Sequence, residues 1–93
     1  MHEMGIACSV LDAVQKELER YPGMRASKVG LRIGEFAGVD PESLRFCFEA
    51  AAMSYQLAPL DLDVNWCRAA EGCRGDELDF AFVEMDELDE VKA

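Results

Sequence analysis

The chain has 93 residues, of which 51% are hydrophobic, and a formal net charge of −10. This length predicts a single domain with a small core, and the apolar fraction is too high for a disordered chain. Proteins that bind nucleic acids or anionic membrane surfaces usually carry an excess of Lys and Arg. The negative net charge of this chain therefore argues against both as partners.

The sequence contains no apolar run near the roughly 20 residues that span a bilayer, and its start lacks the basic and apolar regions of a secretory signal. We therefore expect a cytoplasmic protein. Its cysteines are expected to be reduced there; they are Cys8, Cys47, Cys67 and Cys73.

The first predicted element is a helix over residues 3–20. Its apolar residues recur at the spacing of a single helical face: Ile6, Val10, Ala13, Val14 and Leu18. A strand follows over residues 27–36, where apolar residues alternate with polar residues and glycines. Gly30 and Gly34 are costly within a strand unless something packs closely against them, and we expect a crossing helix to do so.

A second helix is predicted over residues 41–54, with Asp40 as its N-cap and Pro41 in the first position. Its wide apolar face is typical of a helix packed on a sheet. That face consists of a stripe formed by Leu44, Cys47, Phe48 and Ala51, with Phe46, Ala50 and Met53 beside it.

Two further strands are predicted over residues 60–67 and 78–87, joined by a loop over residues 68–77. In the last strand the alternation places Leu78, Phe80 and Phe82 on one side. The strand–helix–strand unit favours a parallel crossover, and the last two strands favour an antiparallel hairpin. The predicted fold is α+β: a small mixed three-stranded sheet with two helices packed on it, in the order α-β-α-β-β. Residues 86–93 are expected to fray.

The segment Met1-His2-Glu3 concentrates nitrogen donors, and His2 is the only histidine. The donors are the Met1 amine, the His2 amide and imidazole, and the Glu3 amide. Nickel(II) and copper(II) favour square-planar nitrogen sites. The first amides of a helix have no intrahelical partner, so recruiting them breaks no helical hydrogen bond. The segment therefore predicts a metal site, with a solvated histidine at a frayed helix start as the alternative.

Other chemistry is poorly supported. A single histidine excludes most Ser/His and Cys/His catalytic arrangements, and the sequence has no Walker A loop; we expect no enzymatic activity. Cys67 and Cys73 could be ordinary thiols, a redox pair that forms a reversible disulfide, or part of a metal site shared between two chains. The simplest interpretation of Cys8 and Cys47 is that they are small residues of the hydrophobic core.

Two segments resemble the HypA/HybF family of hydrogenase nickel-incorporation proteins. The first is the start MHEMGIACSVLDAV, and the second is KVGLRIGEFAGVDPESLRFCFEAAA. The second matches the family's Arg-Ile-Gly-Glu strand end and a helix motif that here consists of Val39, Pro41, Glu42, Leu44, Phe46, Phe48 and Glu49. The resemblance covers about residues 1–67 and returns at residues 77–87.

This resemblance implies a nickel metallochaperone that assists nickel insertion into nickel–iron hydrogenase. It implies the hydrogenase large subunit and a HypB-type GTPase as partners, and some relatives serve urease. It assigns nickel to His2 with the Met1 amine, and it places Glu3 beside the site, where it tunes the metal or contributes its amide. An uncovered sheet face or edge strand would also allow a homodimer.

The chain departs from the family between the last two strands. Family members carry a zinc ribbon there, built from two CxxC pairs, and structural zinc needs four ligands. Here the region holds only Cys67 and Cys73. We therefore expect one domain over residues 1–93, without the ribbon and without structural zinc. The alternative function is an interaction or regulatory module that keeps the fold but has lost nickel delivery, and that responds to oxidation through Cys67 and Cys73.

Overall fold

The computed structural model describes residues 2–88. The elements are α1 (Glu3–Glu19), β1 (Met24–Gly34), α2 (Pro41–Ser54), β2 (Asp61–Cys67), a 3₁₀ turn (Ala69–Glu71) and β3 (Leu78–Glu87). The predicted α+β class and the order α-β-α-β-β are confirmed. Residues 86–87 belong to β3, so the prediction that they fray is wrong. The rest of the predicted frayed segment, apart from Leu88, lies outside the described residues.

The central strand of the sheet is β1, in the order β2-β1-β3. It pairs in parallel with β2 and antiparallel with β3, so the predicted crossover through α2 is confirmed and the predicted β2–β3 hairpin is wrong. The inward side chains of β1 explain this order. Val29, Leu31 and Ile33 are at most 2% exposed, and the central position covers β1 along both edges, whereas a β2–β3 hairpin would leave it at an edge.

Both helices contribute to a single core on one face of the sheet. Fully buried side chains from α1, β1 and α2 form its centre: Leu11, Val14, Val29, Ile33, Leu44 and Phe48. Cys8 and Cys47 are half-buried and pack against this core. The N-cap prediction is confirmed, since Asp40 Oδ1 accepts hydrogen bonds from the backbone N–H groups of Glu42 and Ser43 at 3.0 and 3.2 Å.

A bulge in β3 changes which side chains face the helices. Leu31 pairs with Phe80, but its neighbour Gly30 pairs with Phe82, so β3 has one extra residue there. As a result Phe80 shares the helix-covered face with Leu31, while Phe82 lies on the opposite face with Gly30. The prediction that Phe82 lies on the same side as Phe80 is wrong, because strict alternation does not anticipate a bulge.

The two strand glycines are explained by this helix-free face. The ring of Phe82 occupies the space that a Cβ at Gly30 would fill. A Cβ at Gly34 would meet the backbone of Gly75 and the carboxylate of Glu77. The expected crossing helix is therefore wrong, since an aromatic ring and the loop over residues 68–77 pack against the glycines instead.

Candidate metal site at the N-terminus

His2 is the residue that immediately precedes α1. Its backbone is extended (φ −85°, ψ 100°), and its side chain makes no capping hydrogen bond. Its carbonyl accepts the N–H of Ile6 at 3.1 Å, which closes the first helical turn. The residue is exposed, so the imidazole is accessible to an incoming metal. Met1, the third member of the candidate set with His2 and Glu3, lies outside the described residues.

Glu3 connects the start of α1 to the start of α2. Its Oε2 accepts a hydrogen bond from the backbone N–H of Asp40 at 3.0 Å. That N–H, followed by the backbone N–H of Glu3 itself, holds the pKa of the Glu3 carboxyl below its ordinary value of 4.5. The carboxylate thus fixes the position of residues 2 and 3 relative to α2. The sequence predicted a residue beside the site but gave no signal for this link between the two helices.

His2 also borders a groove of about 510 Å³ between α1 and β3. Ile6 and Val10 of α1 and Leu78 and Phe80 of β3 contribute apolar walls, and Ser9 and Asp79 contribute polar groups. The sequence did not predict that Asp79 lies in this groove, because it placed β3 beside β2 and not beside β1. The groove places the exposed imidazole next to an apolar surface.

A second cluster of metal-ligating side chains lies on the helix-free face of the sheet. Cys67 ends β2 and pairs with Gly34, and Cys73 lies in the following loop. Their Cα atoms are 6.0 Å apart and their sulfur atoms are in contact. A Glu77 carboxylate oxygen lies within 4.8 Å of both sulfurs.

A four-thiolate zinc site does not fit these residues. Cys8 and Cys47 lie on α1 and α2, on the face of the sheet opposite Cys67. Only two thiolates therefore meet at the end of β2, and the ten residues between β2 and β3 form a short 3₁₀ turn and a tight loop. The described residues thus offer two thiolates and one carboxylate at this place.

Glu77 is a buried carboxylate, 5% exposed. Its two oxygens accept the backbone N–H groups of Arg74 at 2.7 Å and Gly75 at 2.9 Å. Burial alone would raise the pKa of Glu77, but these hydrogen bonds outweigh it and lower the pKa below the ordinary value of 4.5. The charged form of Glu77 therefore organises the loop.

Because the pKa of Glu77 is lower in the folded chain, its contribution to stability is present above the ordinary value of 4.5 and is lost as the pH falls below it. We expect Glu77→Gln to be less stable than the native chain at pH 7, with the difference shrinking below pH 4.5. Urea denaturation at a series of pH values measures this. Asp63→Gln, an exposed carboxylate on β2, serves as the control. A difference that did not change with pH would contradict the role of the charge.

Sequence comparisons place the chain in a family of accessory proteins. Residues 1–88 match the family described as "Hydrogenase/urease nickel incorporation, metallochaperone, hypA". The chain therefore belongs to the HypA family.

Curated relatives agree with this assignment. The chain is 45% identical over 73 residues to the hydrogenase maturation factor HypA of Chlorobium limicola, covering 78% of this chain and 63% of the relative. It is 54% identical over 65 residues to HypA of Pelodictyon phaeoclathratiforme, covering 70% and 56%. It is 43% identical over 63 residues to HypA of Streptomyces avermitilis, covering 67% and 48%.

The matched segment spans about half to two thirds of the length of these curated relatives. No solved structure matches the chain. Among residues 2–88, none of the helices has the length and apolar character that crossing a membrane requires.

Proposed function

We propose that this chain is a nickel-binding metallochaperone that assists nickel insertion into nickel–iron hydrogenase, and that it is not an enzyme. The observation that carries the proposal is the exposed His2 imidazole at the start of α1 in a chain of the HypA family. Nickel is the cargo in this account and is carried without chemical change. We propose that the protein acts in the cytoplasm.

The proposed ligands are the Met1 amine, the His2 amide and imidazole, and the Glu3 amide. Each amide nitrogen gives a proton to solvent before it binds nickel, so affinity rises with pH. The first backbone hydrogen bond of α1 is donated by Ile6 to His2, and the amides of residues 2 and 3 precede it. Metal binding by these amides therefore leaves the helical hydrogen bonds intact.

An exposed site suits transfer of the metal. His2 lies at the surface, so ligands of a recipient protein can approach nickel before its old ligands leave. The proposed partners are the hydrogenase large subunit and a HypB-type GTPase. The formal charge of −10 favours basic surfaces on such partners and disfavours nucleic acid and anionic membranes. A homodimer is a further proposed assembly.

We also propose that residues 1–93 form one domain without a zinc ribbon. The support is the short connection between β2 and β3, in which the 3₁₀ turn and the Glu77 hydrogen bonds account for the local backbone. The nickel site is then the metal site on which the proposed function depends.

Isothermal titration of nickel into the untagged chain tests the proposal. We expect one nickel per chain with a dissociation constant of about 1 μM or tighter, which is about −8 kcal/mol. His2→Ala is expected to lose this binding, because the imidazole is the one side-chain nitrogen ligand in the proposed set. Ser9→Ala, which changes another polar residue of the same groove, serves as the matched control. Equal nickel affinity in His2→Ala and the native chain would overturn the proposal.

A further inference from the structure

The cluster formed by Cys67, Cys73, Arg32 and Glu77 is separate from the N-terminal nickel site. We propose that Cys67 and Cys73 are a thiol–disulfide switch that reacts reversibly with small disulfides and fixes the loop over residues 68–77 when oxidised. The distance between their Cα atoms, 6.0 Å, lies in the range of protein disulfides. Disulfides of this kind in a reducing compartment are typically transient and redox-sensing.

Arg32 is the first reason to assign redox chemistry to this pair. Its Nη2 donates hydrogen bonds to the sulfurs of Cys67 and Cys73, each at 3.3 Å. A guanidinium keeps its positive charge at all working pH values, and a neighbouring positive charge favours the reactive thiolate. The arginine thus activates either cysteine for attack on a disulfide.

The balance of charge favours the disulfide over accumulated thiolates. Glu77 is buried, and its carboxylate lies within 4.8 Å of both sulfurs. Two thiolates and this carboxylate would leave excess negative charge around a single guanidinium. Formation of the disulfide removes both thiolate charges and leaves one guanidinium and one carboxylate around the two sulfurs. The cluster is then electrically balanced, which a partly buried site requires.

The same contacts disfavour a metal in this cluster. A divalent cation held by the two sulfurs would face the Arg32 guanidinium, which lies at 3.3 Å from both of them. Both oxygens of Glu77 already accept backbone hydrogen bonds from Arg74 and Gly75. A metal would compete with these interactions, whereas a disulfide leaves them in place.

Exposure indicates the order of the reaction. Cys67 is 9% exposed at the end of β2, while Cys73 lies in the loop and is half-buried. The Cys73 thiolate attacks one sulfur of the external disulfide, forming a mixed disulfide and releasing one thiolate. The Cys67 thiolate then attacks the Cys73 sulfur and releases the second. The chain loses two electrons and two protons, and the external disulfide gains both as two thiols.

The structural consequence lies in the loop and in the strand that follows it. Backbone hydrogen bonds from Gly34 to the Glu77 carbonyl (2.8 Å) and from Phe36 to the Gly75 carbonyl (2.6 Å) hold the loop against β1. A covalent link from Cys73 to β2 adds a second anchor on the other side. The oxidised loop is therefore more firmly held, and we expect oxidation to raise the midpoint of thermal unfolding.

Mass spectrometry of the full chain in mixtures of oxidised and reduced glutathione tests the proposal. We expect the native chain to lose two hydrogens, with peptide mapping placing the new bond between Cys67 and Cys73. Excess reduced glutathione should reverse it. Cys67→Ser should instead accumulate one glutathione on Cys73, because the resolving thiol is absent. A variant with Cys8→Ser and Cys47→Ser is the matched control and should behave as the native chain does.

The rate at which Cys73 reacts with glutathione disulfide tests the role of Arg32. Arg32→Gln should slow the reaction of Cys73 several-fold, because loss of the neighbouring positive charge leaves less thiolate, an effect that the greater nucleophilicity of each thiolate offsets only in part. Arg32→Lys should retain most of the rate. Native chain in which glutathione adducts spread over Cys8 and Cys47 without a Cys67–Cys73 bond would overturn the proposal. So would binding of one cobalt(II) to the reduced chain with a thiolate-to-metal absorption band that Cys73→Ser removes.

The switch does not require the nickel site. His2→Ala should form the Cys67–Cys73 bond at the native rate, and Cys73→Ser should retain nickel binding. Failure of the switch and failure of nickel binding are therefore distinguished by these two variants.

Discussion

Replacing Phe48 with alanine is expected to lower the free energy of unfolding by about 3–5 kcal/mol. The side chain is 1% exposed and is the largest in the fully buried core. Alanine removes the apolar transfer energy of the ring and leaves a cavity that its neighbours fill only in part. Small domains are stable by only about 5–15 kcal/mol, so much of the native stability would be lost. Urea denaturation followed by circular dichroism measures the change.

Phe46→Ala is the matched control for this prediction. Phe46 lies two residues away on α2 and is 72% exposed. Its truncation leaves the core intact, and we expect a change within about 0.5 kcal/mol. Equal destabilisation by the two substitutions would show that α2 does not bury the face described here.

The second large effect is expected at Gly34, where alanine should destabilise the chain by about 1–3 kcal/mol. A Cβ at this position would collide with the backbone of Gly75 and with Glu77, whose carboxylate organises the loop. Backbone atoms cannot rotate out of the way, so β1 and the loop over residues 68–77 must separate. The Gly34–Glu77 backbone hydrogen bond of 2.8 Å would be stretched with them. Thermal unfolding of the variant measures the loss.

Gly30→Ala provides the comparison. The three heavy atoms nearest to a Cβ at Gly30 would all belong to the ring of Phe82. That side chain is 39% exposed and can turn toward solvent, so the loss should be smaller than at Gly34. A larger loss at Gly30 than at Gly34 would contradict the packing described for the helix-free face.

The sequence predicted the elements well because their apolar periods are clear. Asp40 and Pro41 marked the start of α2, and the alternation around Val29 and Leu31 marked β1. Pairing was predicted less well, because each strand's pattern records which side chains are buried and not which neighbour covers them. The bulge between Phe80 and Phe82 is set by contact with Gly30, and a single strand's pattern contains no signal for it.

The candidate site, like the fold, could be predicted from the sequence only in part. The nitrogen donors of residues 1–3 are local to one segment, so the sequence alone indicated them. The hydrogen bond from Asp40 to Glu3 and the position of Asp79 in the groove depend on tertiary packing. For Cys67 and Cys73 the sequence left ordinary thiols, a redox pair and a shared metal site open. The contribution of Arg32, which reaches them from β1, became evident only when the sheet order was known.

Nickel affinity measured before and after acetylation of the α-amino group of the untagged chain tests whether the N-terminus holds the metal. Acetylation removes one proposed ligand and leaves every side chain unchanged. We expect one nickel per native chain and a loss of at least about 100-fold in affinity on acetylation, which is larger than the effect of changing a residue that only orients a metal ligand. An acetylated chain that bound nickel with native affinity would place the metal elsewhere and contradict the proposed N-terminal site.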